Sequence, residues 1–167
     1  MRRFRKKAII VVALAFASSG FTQSSSNAPA KESRVTAHAR GTFEIQMTPQ
    51  PFDDKADEGL GRFIGVKQIH GDLEGTSKGH MLTAGDPKKG SAGYVAMEKV
   101  TGTLNGRTGS FILQHSGSMA HGEMHMNITV VPDSGTDQLT GISGTFTIII
   151  TDGKHSYDFE YTLPKVP

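Results

Sequence analysis

The pattern that most constrains the fold of this chain is an alternation of apolar and polar residues with a period of two, which recurs from Arg34 onward between glycine-rich turns. Such alternation is typical of β-strands with one buried face, whereas an amphipathic helix needs apolar residues three and four positions apart. No window after Arg34 keeps the helical spacing for three turns. The sequence therefore predicts an all-β domain.

We predict eight strands joined by short turns, apart from a longer acidic and proline-containing connection at residues 49–59. Short connections place consecutive strands side by side and antiparallel, as a meander. A two-sided sheet of eight strands with no helix to cover it is expected to close into a barrel. A sandwich of two sheets is the alternative, although its crossovers usually need longer connections. The predicted strands span residues 35–48, 60–70, 72–83, 91–104, 107–117, 123–131, 139–151 and 154–163.

Two turns fix the register of their hairpins. Residues 105–106 are Asn-Gly and residues 152–153 are Asp-Gly, and both dipeptides favour two-residue type I′ turns. Counting outward from the second turn pairs Phe146 with Phe159 and separates an apolar face from a polar one. A division of this kind predicts that one side of the sheet is buried and the other is solvated.

The Asn-Gly turn places a charged residue and an imidazole on an apolar face. Counting outward pairs Glu98 with Leu113 and Ala96 with His115. Glu98 and His115 are therefore diagonal neighbours on adjacent strands, and their backbones lie about 7 to 8 Å apart. An ionised carboxylate inside a barrel is costly unless it is paired. The pair is our candidate for general acid or base catalysis, or for binding the polar end of a ligand. A structural pair that plugs one mouth, or solvated groups at a rim, is the alternative.

Other inward-facing aromatic residues extend this candidate site. Tyrosine hydroxyls on the inner face would add hydrogen-bond donors, whereas the alternative is a core tyrosine whose hydroxyl is already bonded. The predicted ligand-binding residues are Tyr94, Glu98, Phe111, His115, Tyr157 and Tyr161, and the candidates for catalysis are Glu98 and His115.

A second constellation recurs at every second residue: His121, Glu123 and His125. Three such ligands with an open position suit zinc, and the neighbouring methionines would suit copper. The alternation, however, turns Met124 and Met126 inward and the histidines toward solvent. We therefore favour a solvated strand end over a metal site.

The N-terminal residues predict export. Residues 2–7 are mostly basic and residues 8–17 are apolar, as in a secretory signal peptide. The apolar run is shorter than the ~20 residues that span a bilayer, so we expect a cleaved leader at residues 1–20 and no membrane span afterwards. Residues 21–33 form a polar tether that we expect to be disordered, and residues 34–167 form a single domain in the periplasm or outside the cell.

Charge and composition exclude several partners. Without the five basic residues of the leader, 13 basic residues face 16 acidic ones, so the formal net charge changes from +2 to −3. No basic stripe interleaved with aromatic residues follows, which argues against nucleic acid as a partner. Neither a phosphate-binding loop nor a dinucleotide fingerprint is present, so we predict no cofactor. The chain has no cysteine, and we expect its core to suffice for folding without disulfides.

Four segments carry a resemblance to a known family: GDLEGTSKGHML, GSAGYVAMEKVTGTLNGRTGSFILQHSG, VVPDSGT and DGKHSYDFEYTLP. They resemble a bacterial domain family of unknown function whose fold is similar to the allene oxide cyclase barrel. The resemblance covers about residues 39 to 164 and implies an eight-stranded antiparallel meander barrel. It does not imply cyclase activity, because proteins that share a barrel often differ in function.

Three functions remain open at this point. The leading hypothesis is an exported barrel that binds an apolar or amphipathic small molecule in its interior or mouth, with Glu98 and His115 at the polar end of the ligand. The second is an isomerase or cyclase that uses the same pair. The third is a packed structural or oligomeric barrel without a ligand, which an apolar patch on the outer face would favour.

Overall fold

The computed structural model describes residues 34–52 and 59–165. The predicted leader and tether, and the acidic residues 53–58, lie outside the described residues. The chain forms a closed barrel of eight antiparallel strands in sequence order, which confirms the predicted fold. No helix in the described ranges is long and apolar enough to cross a membrane. The strands are β1 (Arg34–Pro49), β2 (Leu60–Gly71), β3 (Leu73–Asp86), β4 (Ser91–Leu104), β5 (Arg107–Ala120), β6 (Glu123–Val130), β7 (Ser143–Thr151) and β8 (Lys154–Pro164).

Both predicted registers are confirmed. In the β4–β5 hairpin Glu98 faces Leu113 and Ala96 faces His115, and in the β7–β8 hairpin Phe146 faces Phe159. The turn residues have positive φ angles, such as 47° at Asn105, which a type I′ turn requires. These turns therefore set which side chains enter the barrel.

Hydrogen bonding between the first and last strands closes the barrel. β1 pairs with β8 from Arg34 opposite Pro164 to Phe43 opposite His155. The ladder between β6 and β7 is much shorter, because Thr129 opposite Thr145 is the one register pair found there among the described residues. The barrel is thus closed, but β6 and β7 are joined by few backbone contacts. We call this β6–β7 boundary the seam.

The largest error in the predicted strand boundaries is at the start of the seventh strand. The predicted strand at residues 139–151 begins only at Ser143, because Asp137–Leu139 forms a 3-10 turn. Leu139 is fully buried, and Gly141 follows it with a φ of 76°. Leu139 joins the hydrophobic core from this turn and not from a strand. The alternation with a period of two is therefore lost for these residues.

The barrel interior is packed densely at one end. Phe111 stacks on Phe159 with their ring centroids 5.5 Å apart, and Phe146 stacks on Tyr157 at 5.1 Å. We call this the closed end, because Leu139 also covers it. The opposite end, which carries the β3–β4, β5–β6 and β7–β8 turns, is the open end. The other fully buried side chains of the core include Ile69, Leu73, Val100, Leu104, Leu113, Ile128 and Ile142.

Phe159→Ala should lower the free energy of unfolding by about 3 to 5 kcal/mol, since the ring is fully buried and packs against three other aromatic rings. Urea unfolding measures the change. Glu160→Ala, on the outward face of the same strand, is the matched control and should change stability by less than about 0.5 kcal/mol. Equal effects of the two substitutions would contradict the assigned faces.

Candidate functional site

The predicted pair of Glu98 and His115 is brought together inside the barrel. Nε2 of His115 lies 2.9 Å from Oε2 of Glu98, and both residues are buried, with 6% and 5% of their surface exposed. The type I′ turn at residues 105–106 makes this contact local, since it places the two residues on one face of adjacent strands.

Two residues that the sequence analysis missed complete the cluster. Nζ of Lys67 on β2 donates to Oε2 of Glu98 at 2.8 Å, and the hydroxyl of Ser77 on β3 donates to Oε1. Lys67 and Ser77 are register partners. Four consecutive strands thus each contribute one side chain, and we call Lys67, Ser77, Glu98 and His115 the charged cluster.

Two aromatic rings also hold the Lys67 ammonium. Its Nζ lies 4.7 Å from the centre of the Phe43 ring and 5.9 Å from that of Phe146. A cation over the face of an aromatic ring is attracted by the ring's electron density, and the attraction is larger where water is excluded. These rings help to offset the cost of burying Lys67, which is 5% exposed.

The charged cluster keeps Glu98 ionised. Burial raises the pKa of Glu98, but the nearby His115 imidazole, the Lys67 ammonium and the Ser77 hydroxyl outweigh burial and lower the pKa to about 2. The pKa of Tyr94 is raised, by burial and by the negative charge of Glu98. The tyrosine is therefore a neutral hydroxyl beside the cluster.

One ring nitrogen of His115 makes a close polar contact that is poorly aligned. The distance from its Nε2 to the Glu98 carboxylate is that of a hydrogen bond, yet the nitrogen is buried and has no well-aligned hydrogen bond with any described residue. A small shift of either side chain, or a ligand, would complete its hydrogen bonding. Buried polar atoms of this kind are uncommon in native proteins and often have a functional reason.

Three members of the charged cluster, Lys67, Glu98 and His115, form the floor of a cavity in the open end. This inner cavity has a volume of about 240 Å³ and an apolar wall, and Gly65 and Gly79 enlarge it because they contribute no side chain. A wider outer cavity of about 470 Å³ shares Met81, Tyr94 and Met124 with it. Other residues of the inner wall are Phe43, Ile45, Met47, Ala96, Met126 and Ile148.

Among the predicted ligand-binding residues, Tyr94, Glu98 and His115 line the inner cavity, and the centroids of the Tyr94 and His115 rings are 6.5 Å apart. The structure does not bring the other three to the inner cavity. Phe111 belongs to the stacked core, the Tyr157 hydroxyl accepts from the backbone N of Leu73 at 3.1 Å, and the Tyr161 hydroxyl accepts from Asn105 at 2.8 Å.

The candidate metal ligands do not form a cluster. His121 lies in the turn before β6, and Glu123 and His125 are exposed, whereas Met124 and Met126 line the inner cavity as the alternation predicts. Across the part of the chain that the structure describes, no group of three His, Cys, Asp or Glu residues is arranged to hold a metal ion.

A signal for Lys67 is present in the sequence. Phe63, Gly65, Lys67 and Ile69 have the same parity, so the burial of Ile69 turns Lys67 inward as well. Ser77 is found in the same way from Leu73. The partnership of the two residues is harder to predict, because the β2–β3 connection lacks a two-residue turn that fixes the register.

Residues 39–161 of the chain match the sequence model of DUF3224, which is described as a protein of unknown function. The chain belongs to the DUF3224 family. The crystal structure of a DUF3224 protein of unknown function from Shewanella oneidensis MR-1 is similar, with 41% sequence identity and a TM-score of 0.72. The match covers 80% of this chain and 100% of that one. No curated protein matches the chain.

The stability of the protein should depend on pH through Glu98. Because its pKa is lowered from 4.5 to about 2 in the folded state, the ionised carboxylate stabilises the fold above pH 4.5, and this contribution of about 3 kcal/mol is lost as the pH falls through 2. Glu98→Gln should therefore be less stable than the native protein at pH 7, and the difference should shrink between pH 4.5 and 2. Unfolding in urea at a series of pH values measures both curves.

Asp158→Asn provides the matched control for this experiment. Asp158 is an outward-facing carboxylate whose pKa is lowered by the adjacent His38 and Arg40. Its replacement should leave the Glu98-dependent loss of stability in place. Parallel curves for the native protein and Glu98→Gln would contradict the role assigned to the Glu98 carboxylate.

Proposed function

We propose that this DUF3224 protein is an exported barrel that binds an apolar or amphipathic small molecule in its open end, with the polar end of the ligand at the charged cluster. The observation that supports this proposal best is an apolar cavity whose floor carries a buried imidazole nitrogen without an aligned partner. Ligand sites are commonly concave and apolar with a few convergent polar groups.

Binding is a better fit to the charged cluster than acid–base catalysis by Glu98. A general base works best when its pKa lies near the operating pH, whereas the pKa of Glu98 is about 2. Its carboxylate already accepts from Lys67 and Ser77, so it is a weak base. In the isomerase or cyclase alternative, proton transfer would therefore fall to His115.

The similarity to the allene oxide cyclase barrel is part of the same proposal. It rests on the quoted sequence segments and on the eight-stranded antiparallel meander that the structure and that barrel type have in common. A barrel of eight strands has room for packed side chains or one small ligand. This similarity supports a ligand in the barrel, but it does not extend the cyclase reaction to this chain.

The structural alternative has one observation in its favour. Leu82, Val95 and Met97 form an apolar cluster on the outer face of β3 and β4, and Val95 and Met97 are 54% and 52% exposed. Exposed apolar clusters often mark surfaces where proteins associate. The outer face of β8 is instead polar, so association of copies would use the β3–β4 side.

Protein purified from the exported fraction of its native host should carry a bound small molecule in native mass spectrometry. Ala96→Leu should remove that added mass, because Ala96 lines the inner cavity and a larger side chain there occupies the space of the ligand. Val95→Leu is the matched control, since residue 95 is the exposed neighbour on the same strand. The same spectra show whether the barrel is a monomer or an oligomer.

Absence of an added mass from the native protein, together with a uniform oligomer, would favour the structural alternative. An added mass that persists in Ala96→Leu would place the ligand outside the inner cavity and would contradict the proposal.

A further inference from the structure

Lys67 keeps unused donors at the floor of the inner cavity. An ammonium carries three N–H donors, yet Glu98 is the one hydrogen-bond acceptor that Lys67 has among the described residues. Each oxygen of Glu98 already accepts one hydrogen bond, Oε1 from Ser77 and Oε2 from Lys67, and Oε2 also contacts Nε2 of His115. A ligand head with an acceptor atom therefore finds free N–H donors on Lys67.

The charged cluster is also balanced in charge. The Lys67 ammonium offsets the Glu98 carboxylate at 2.8 Å, so these two charges cancel. An anionic head would add a second negative charge beside the buried Glu98 carboxylate, and an unpaired buried charge is costly. A neutral acceptor such as a carbonyl oxygen uses the same donors without that cost.

We propose that the inner cavity selects a ligand with a neutral carbonyl head on an apolar chain over one with a carboxylate head. This inference rests on the proposed function, because it names the class of ligand for the same site. The ketone or ester oxygen is expected to accept from Lys67.

Methionines provide a path for the apolar chain. Met81 and Met124 line both the inner and the outer cavity, and Met126 adds to the inner wall. Methionine side chains are unbranched and adapt to irregular apolar partners. A chain that leaves the inner cavity therefore runs between these residues toward the open end, where chain length is recognised less strictly than the head.

The test compares three probes of equal chain length: 2-decanone, decanoate and decane. Displacement of the neutral fluorescent probe N-phenyl-1-naphthylamine from the native protein at pH 5.5 and pH 8 gives their relative affinities. We expect 2-decanone to bind about tenfold more tightly than decane at both pH values, as one hydrogen bond of typical net strength predicts. Decanoate should bind more weakly than 2-decanone at pH 8, where its carboxyl group is fully ionised.

A double variant tests the role of Lys67 as the hydrogen-bond donor to the ligand. Lys67→Met alone leaves Glu98 buried without its cation and is expected to fold poorly, so the double variant Lys67→Met/Glu98→Gln keeps the cluster neutral. It should lose most of the preference for 2-decanone over decane. Lys78→Met, an exposed lysine on the outer face of β3, is the matched control and should keep that preference.

The outcomes separate this inference from the proposed function. Equal affinity for 2-decanone and decane, or decanoate bound most tightly at pH 8, overturns the neutral-head inference while the barrel remains a ligand-binding protein. If none of the probes binds at either pH, the neutral-head inference and the proposed function both fail.

Discussion

The pairing of β1 with β8 is the constraint on which the rest of the structure depends. It joins the two ends of the described domain over ten register pairs, from Arg34 opposite Pro164 to Phe43 opposite His155. Because that ladder turns a sheet into a barrel, the side chains of one parity acquire a common interior. Without it, Lys67 on β2 and His115 on β5 would project from one side of an open sheet, and the burial that gives their charges chemical significance would be lost.

The interior is divided along the barrel axis. Aromatic side chains fill the closed end, where the hydroxyls of Tyr157 and Tyr161 are already bonded within the fold. The open end has glycines at two wall positions and methionines near the mouth. The charged cluster lies at the boundary between these halves. The side chains of the charged cluster are therefore held in place by the dense packing of the closed end. Their side toward the mouth of the barrel remains available for a small molecule.

The sequence predicted those parts of the structure that depend on short-range rules. The two-residue turns have a fixed number of residues, so they determine the pairing of β4 with β5 and hence the meeting of Glu98 with His115. The β2–β3 connection follows a different geometry. A two-residue turn at Gly71-Asp72 would have placed Lys67 opposite Thr76, but in the structure Asp72 bonds to Arg40 on β1 and Lys67 faces Ser77.

The same contrast explains Leu139, whose position across the closed end depends on a tertiary contact that no local pattern encodes. The choice of ligand is harder still to predict from the sequence, because it depends on which donors remain unused after the cluster has assembled.

The short ladder between β6 and β7 has a separate consequence. Past Thr129 and Thr145, each strand presents a backbone edge toward the other, and edges of this type are templates for added strands. If the barrel is strained or heated, we expect it to part at this seam first, so the route to a misassembled, strand-exchanged form begins at the same wall that borders the cavity.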